Sequence, residues 1–317
     1  MHIFNILGPI ILIIVLGWLL RRFGFISAPS YRPVMRLVYW VGLPCLLFLK
    51  TATATVELGQ AWQVTLVLMT GMVVCISLAF IGCLLFRFRA ESRGTFVQGA
   101  YRGNLAYVGL PLILFSLSGN QAGASNELQA IAILAIAPVI PLYNAVAVVF
   151  LAADQQRKNG RGKVDWLELT KRIATNPLII ACVFGIGYAK TGWELGLLAT
   201  RVCTTLGNMA LPLALLGIGV SLNFSSLSGR VLPSILAAAL KVAVAPAAGF
   251  VTAQVLQLSV QQTQIAVLFL ACPTAITSYV MAQQMGSDAK LAGNIVLTST
   301  VLAFPIIAMI LAVFGWK

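Results

Sequence analysis

The chain has 317 residues, of which 60% are hydrophobic and 9% charged, with a mean hydropathy of +0.95 and a formal net charge of +13. Soluble domains carry roughly a quarter of their residues charged, so the composition excludes a soluble enzyme and describes an all-α integral membrane protein. Apolar runs long enough to span a bilayer fall at 4–20, 34–49, 62–86, 95–116, 127–152, 173–189, 204–222, 231–256, 263–284 and 290–315, which predicts ten transmembrane helices.

The first span carries Pro9 and Gly17 and is followed by Arg21, Arg22 and Gly24. Its arginines come after the apolar run, which is unlike a cleavable signal peptide. The second span contains Gly42-Leu43-Pro44-Cys45 and the third is uninterrupted. The fourth is broken in mid-run by Gly103-Asn104-Leu105-Ala106-Tyr107-Val108-Gly109-Leu110-Pro111, and the fifth holds Pro138, Pro141 and Asn144. A polar linker over 153–172 comes next, ending in the short amphipathic stretch Asp165-Trp166-Leu167-Glu168-Leu169.

Beyond the linker the same marks return about 168 positions later, as Pro177, Gly185, Gly192, Leu211 and Pro212. The eighth span holds small-residue runs, Lys241 and Pro246; the ninth is interrupted at Ala271-Cys272-Pro273-Thr274-Ala275. A duplicated membrane unit with Gly/Pro-broken segments at matching places points to a secondary transporter and its binding site. The expected organisation is a five-helix repeat over 1–152, a cytoplasmic linker over 153–172 and a second repeat over 173–317. With the N-terminus outside, sixteen basic residues fall on inner loops, Arg102 among them, and four on the outer side. That asymmetry follows the positive-inside rule and argues against nucleic acid as a partner. Both termini are then outside the cytoplasm, and five spans per half make the two repeats inverted. The six cysteines lack CxxC spacing and read as core packing, and the tryptophans near span ends read as an aromatic belt.

Irregular backbone at membrane depth is tolerated only inside protein or beside a wet cavity. Pro111 should free the carbonyl of Tyr107, and Pro273 that of Phe269, leaving half-helix ends that favour ions. Around these breaks lie Asn104, Tyr107, Thr274, Thr277, Ser278, Tyr279 and Gln283, neutral groups able to hold a carboxylate. Pro44 and Pro212 either line the cavity from the facing side or serve as scaffold kinks. Asn144 reads as a helix-to-helix hydrogen bond. Lys241, the one charge placed well inside a span, attracts organic anions, caps backbone carbonyls freed by Pro246, or snorkels to the interface. No Asp or Glu lies within a span, so an intramembrane proton relay has no support, and neither a metal cluster nor a nucleophile with its base is present. Ser287-Asp288-Ala289-Lys290 has serine–lysine spacing but reads as chance. The expectation is no enzyme, no cofactor and no metal.

The stretch Asn104-Leu105-Ala106-Tyr107-Val108-Gly109-Leu110-Pro111-Leu112 resembles the broken fourth helix of the auxin efflux carrier family, N-x-x-x-x-G-x-P-L. The run Ala271-Cys272-Pro273-Thr274-Ala275-Ile276-Thr277-Ser278-Tyr279-Val280-Met281-Ala282 is similar to that family's ninth-helix pattern. Gly42 to Phe48, Asn176-Pro177, and Lys241 with Pro246 resemble its second, sixth and eighth helices. The resemblance covers essentially the whole chain. It implies two inverted five-helix repeats, broken and crossing helices 4 and 9, a homodimer, and export of small organic anions by an elevator-like movement. It also implies that Asn104, Pro111 and Pro273 form the site, with Gly109 a further candidate in the same motif. The chain lacks the long central loop of the plant PIN-type carriers and looks more like the prokaryotic branch of malonate- and malate-type permeases. A bile-acid-type sodium symporter and a membrane ligand sensor stand as alternatives.

Overall fold

The computed structural model describes residues 2–53, 58–117, 122–159, 166–222 and 231–314. Among them the chain is all-helical. The helices are α1 (His2–Arg22), α2 (Ala28–Leu37), α3 (Leu43–Ala52), α4 (Leu58–Leu85), α5 (Arg93–Tyr101), α6 (Leu110–Leu117), α7 (Ala122–Asn159) and α8 (Trp166–Ala174). They continue with α9 (Pro177–Ala189), α10 (Leu197–Ser221), α11 (Val231–Ala239), α12 (Ala245–Val255), α13 (Val260–Ala271), α14 (Thr277–Gln284) and α15 (Ala289–Phe314). Wider π-helical turns at 38–42, 105–109 and 240–244 join α2 to α3, lead into α6, and join α11 to α12. Each precedes a proline in a helix that continues through it, and the wider turn accommodates the N–H that proline lacks.

Six stretches among the described residues are long and apolar enough to cross a membrane: 29–52, 58–85, 126–155, 197–221, 231–255 and 289–314. Shorter apolar helices cover 105–117, 177–189 and 260–271. Of the linker expected at 153–172, the described parts are helical; residues 160–165 lie outside the described residues.

Helix ends follow local chemistry. Asn176 caps α9 by accepting from the Leu178 N–H at 2.9 Å, with Pro177 behind it. Ser259 and Gln262 make a reciprocal capping box on α13. Gly24 and Gly192, 168 positions apart, both turn left-handed (φ +74° and +69°) just past α1 and α9, the conformation glycine adopts without a Cβ penalty. Arg87 and Gln257 take the same conformation (φ 49° and 54°) after α4 and α12. Their caps match bond for bond: Phe86 and Phe88 donate to Gly82 and Cys83, Leu256 and Leu258 to Thr252 and Ala253.

The two halves of the chain do not make separate lobes. One group packs α1 and α2 on α10, and α3 on both α9 and α10. It is drawn together by small residues: a methyl on Gly17 would run into the Leu216 carbonyl, on Gly219 into that of Ile14, and on Gly185 into the Thr51 hydroxyl. The other group packs α4 on α5, α7, α12 and α13, and α15 on α11, α13 and α14. The groups touch where α3 meets α7, α1 meets α6, and α10 meets the 105–109 turn.

Candidate functional site

The helical ladder stops twice in the interior of the second group. After α5 the chain leaves helical geometry at Arg102 (φ −79°, ψ 87°) and Asn104 (φ −82°, ψ 65°). After α13 it runs extended from Cys272 (φ −59°, ψ 145°) into Pro273. The two interruptions meet and pair as an isolated antiparallel bridge between Gly103 and Thr274. The Asn104 N–H donates to the Pro273 carbonyl at 2.8 Å, and the Ala275 N–H to the Arg102 carbonyl at 2.9 Å.

The first break falls at the start of the 103–111 stretch marked in the sequence, and not at Pro111. Pro111 lies inside α6, as its second residue, and is buried; the chain departs from the helix nine positions earlier, at Arg102. The 105–109 turn and α6 run on as one helix through Pro111, whereas Gly103 can approach another backbone closely and Asn104 can cap the 105–109 turn. The Asn104 side-chain oxygen accepts from the Tyr107 N–H at 3.4 Å, and its carbonyl from Val108 and Gly109 at 3.1 and 3.0 Å. At the second break Pro273 does lie in the interruption.

A break in a membrane interior is stable only if the freed backbone groups find partners, and here they do. The Gly99 carbonyl, at the end of α5, accepts from the Thr274 hydroxyl at 2.7 Å. The Thr274 N–H donates to Ser299 Oγ of α15 at 3.0 Å. At the end of α13 the Leu270 carbonyl accepts from Lys241 Nζ, and that of Phe269 from the Cys272 N–H at 3.3 Å. Lys241 thus caps a carbonyl end, as the second sequence reading had it, but that of α13 and not one freed by Pro246.

Lys241 is 1% exposed, and its ammonium lies against Gly103, where an added methyl would sit 3.1 Å from Nζ. A second cation shares the crossing. Arg102, assigned from sequence to an inner loop, is 3% exposed; its guanidinium donates to Ser278 Oγ of α14 at 3.3 Å and to Asn144 Oδ1 of α7. Asn144 therefore does bridge helices, with the arginine as its partner. Among the described residues no carboxylate pairs with either cation; the ion pair present, Arg89 with Glu91 at 3.7 Å, lies on the surface. Each buried cation costs about 2.5–3.5 kcal/mol on membrane insertion scales, against about 0.5–1.5 kcal/mol returned by an ordinary hydrogen bond. The crossing is polarised towards negative charge.

Of the residues singled out in sequence, Asn104, Thr274, Ser278, Lys241 and Pro273 converge on this knot, with Tyr107 half-buried beside it. Gly109 faces Phe269 and Cys272, tying the start of α6 to the end of α13. Thr277, Tyr279 and Gln283 lie on the accessible face of α14, outside the buried knot. Pro44 and Pro212 belong to α3 and α10, whose backbones cross at Gly42–Ala210 and Gly207–Leu46. Sequence reasoning missed Arg102, Gln98 and Ser299. The signal for Arg102 was present in the chain: a charge seven residues into an apolar run, next to the interruption.

Two further features lie away from the crossing. Asp154, near the end of α7, is buried; it accepts from the Gly94 and Thr95 N–H groups at the start of α5 (2.7 and 3.0 Å) and from the Ser287 hydroxyl at 2.7 Å. Asp288 accepts from Ser92 at 2.9 Å. Ser287 and Asp288 therefore tie α5 to α7 and the start of α15. A cavity of about 460 Å³ between α4, α7 and α9, lined by Leu58, Trp62, Pro138, Ile179 and Val183 among others, is apolar and does not reach the crossing.

The sequence profile of the family described as "membrane transport protein" matches residues 2–311. An uncharacterized transporter of Methanocaldococcus jannaschii is 19% identical over 314 residues, covering 97% of this chain and 96% of that one. A protein of Rhizobium meliloti (strain 1021), provisionally named a malonate transporter, is 28% identical over 313 residues, 93% of this chain and 90% of its own.

Proposed function

The chain belongs to the membrane transport protein family, the auxin efflux carrier family its motifs resemble, and we propose that it is a secondary transporter that exports small organic anions. Its family and the similar proteins are transporters, not enzymes. The observation that carries the anion reading is the crossing itself: two half-helix pairs meet around neutral hydrogen-bonding groups and two buried cations with no carboxylate paired to them among the described residues. The name of the Rhizobium relative points the same way, towards carboxylates.

The proposed architecture is ten spans in two inverted repeats. Counting α1, α9 and the interrupted pairs α5–α6 and α13–α14 beside the six long stretches gives ten. Matched caps at Gly24 and Gly192 and at Arg87 and Gln257 support duplication. So does the reciprocal packing of α1 on α10 and α3 on α9. The elevator reading assigns the moving part to the group containing the crossing, sliding against the group built on α1, α3, α9 and α10. Both termini lie outside the cytoplasm in this reading, and the protein sits in the cytoplasmic membrane as a homodimer.

An inside-negative potential drives a monoanion outward by about 2.3 kcal/mol per 100 mV, so export requires no coupling ion. Two buried cations at the crossing disfavour a sodium ion there by like-charge repulsion. The test is purified protein in liposomes loaded with labelled carboxylates under an imposed potential. Efflux that rises with inside-negative potential and falls with Asn104→Ala is the expected result. Sodium-dependent uptake would replace this reading with a symporter; binding without movement would replace it with a sensor.

A further inference from the structure

The guanidinium of Arg102 has an unusual pair of partners for a buried arginine. Both are neutral oxygens, and they come from two different helices: Ser278 Oγ at the start of α14 and Asn144 Oδ1 in the middle of α7. One contacts Nη1 and the other Nη2, the two amino groups that a carboxylate would engage with its two oxygens. A carboxylate offers the guanidinium two parallel bonds and an opposite charge, neither of which two separate neutral acceptors supply, so the present partners are replaceable by an anion. One turn before Arg102, Gln98 is fully buried; its amide nitrogen donates to the Ser278 carbonyl at 3.1 Å, and its Oε1 has no hydrogen-bond partner. Lys241, on the other side of Gly103, adds a second positive charge without an acid.

We propose that Arg102 anchors the substrate carboxylate: its two amino groups exchange the Asn144 amide and the Ser278 hydroxyl for the two oxygens of the anion. This rests on the organic-anion reading and adds a residue to it. Lys241 stays on the Leu270 carbonyl and raises the affinity for a second negative charge. The exchange also removes one tie from the end of α5 to each of α7 and α14, while the Gln98–Ser278 and Tyr101–Tyr143 bonds remain.

The proposal separates from a purely structural pin by a sign. If Arg102 only pins helices, removing either end of the pin has the same consequence. If Asn144 competes with substrate, removing it strengthens binding. The full-length protein is purified and titrated with acetate, propionate, malonate and succinate, and with succinamate, the half-amide of succinate. Affinity is read by calorimetry and by thermal shift. The expected results are a loss of at least tenfold for the best acid in Arg102→Gln, partial recovery in Arg102→Lys, and a severalfold gain in Asn144→Ala. Succinate should bind tighter than succinamate if either is accommodated. Wild-type affinity in Arg102→Gln, or weakened or unchanged binding in Asn144→Ala, overturns the assignment. If Arg102→Gln does not fold, the sign of the Asn144→Ala effect decides alone. If none of the acids binds the wild-type protein, the organic-anion reading fails with it; if they bind wild type and Arg102→Gln alike, only the Arg102 assignment fails.

Discussion

Two crossings in this protein lie beside proline-containing segments, and they behave in opposite ways. At the α1, α3, α9 and α10 crossings the backbones meet through Gly17, Gly42, Gly185, Gly207 and Gly219, and α10 runs unbroken through Pro212. At the α5–α6 and α13–α14 crossing the helices stop, and the chain is held by Asn104, Thr274, Ser299, Arg102 and Lys241. A proline does not by itself break a membrane helix. The ladder opens where side chains are present to take over the freed N–H and C=O groups.

If that contrast is right, the first crossing fails by overlap and the second by loss of a hydrogen bond. The largest effect is expected at Gly219→Val, whose new side chain meets the Ile14 backbone, where neither partner can retreat. The cost is at or above the ~1–3 kcal/mol typical of overpacking, and size-exclusion chromatography should show little folded protein. Next is Thr274→Val, which keeps the shape and removes the donor to Gly99. It should cost about 1–3 kcal/mol for the carbonyl left buried, seen as a lower melting temperature with the protein still monodisperse. A smaller effect is expected at Gly192→Ala, about 1 kcal/mol for placing a Cβ at φ +69° with open space around it. Smallest in stability is Lys241→Met, of similar volume: the Leu270 carbonyl left without its donor costs about 1–3 kcal/mol, offset by removal of a buried cation that costs about 2.5–3.5 kcal/mol. Its melting temperature should hold while transport is lost. A large destabilisation in this variant would turn Lys241 into scaffold and blur the contrast between the two crossings.

Much of this was legible from the chain. The repeated marks at Gly24 and Gly192 correspond to matched left-handed turns, and Gly17 and Gly185 to matched close approaches, because a turn or a contact that tolerates no Cβ restricts residue type at one position. The interrupted segments at 103–111 and 271–275 were also visible. The exact breaking residue in the fourth span was not, since Pro111 is the louder local signal and its real effect depends on where α6 begins.

Composition and the spacing of apolar runs determined a helical membrane protein, because lipid leaves the backbone few other ways to satisfy its hydrogen bonds. Tertiary structure decided which charges are inside. Arg102 sits seven residues into an apolar run, and a local reading sends it to a loop. Only the arrival of Ser278 from α14 and Asn144 from α7, 176 and 42 positions away, makes its burial tolerable. Partners that far apart in sequence are chosen by packing, which no local pattern encodes.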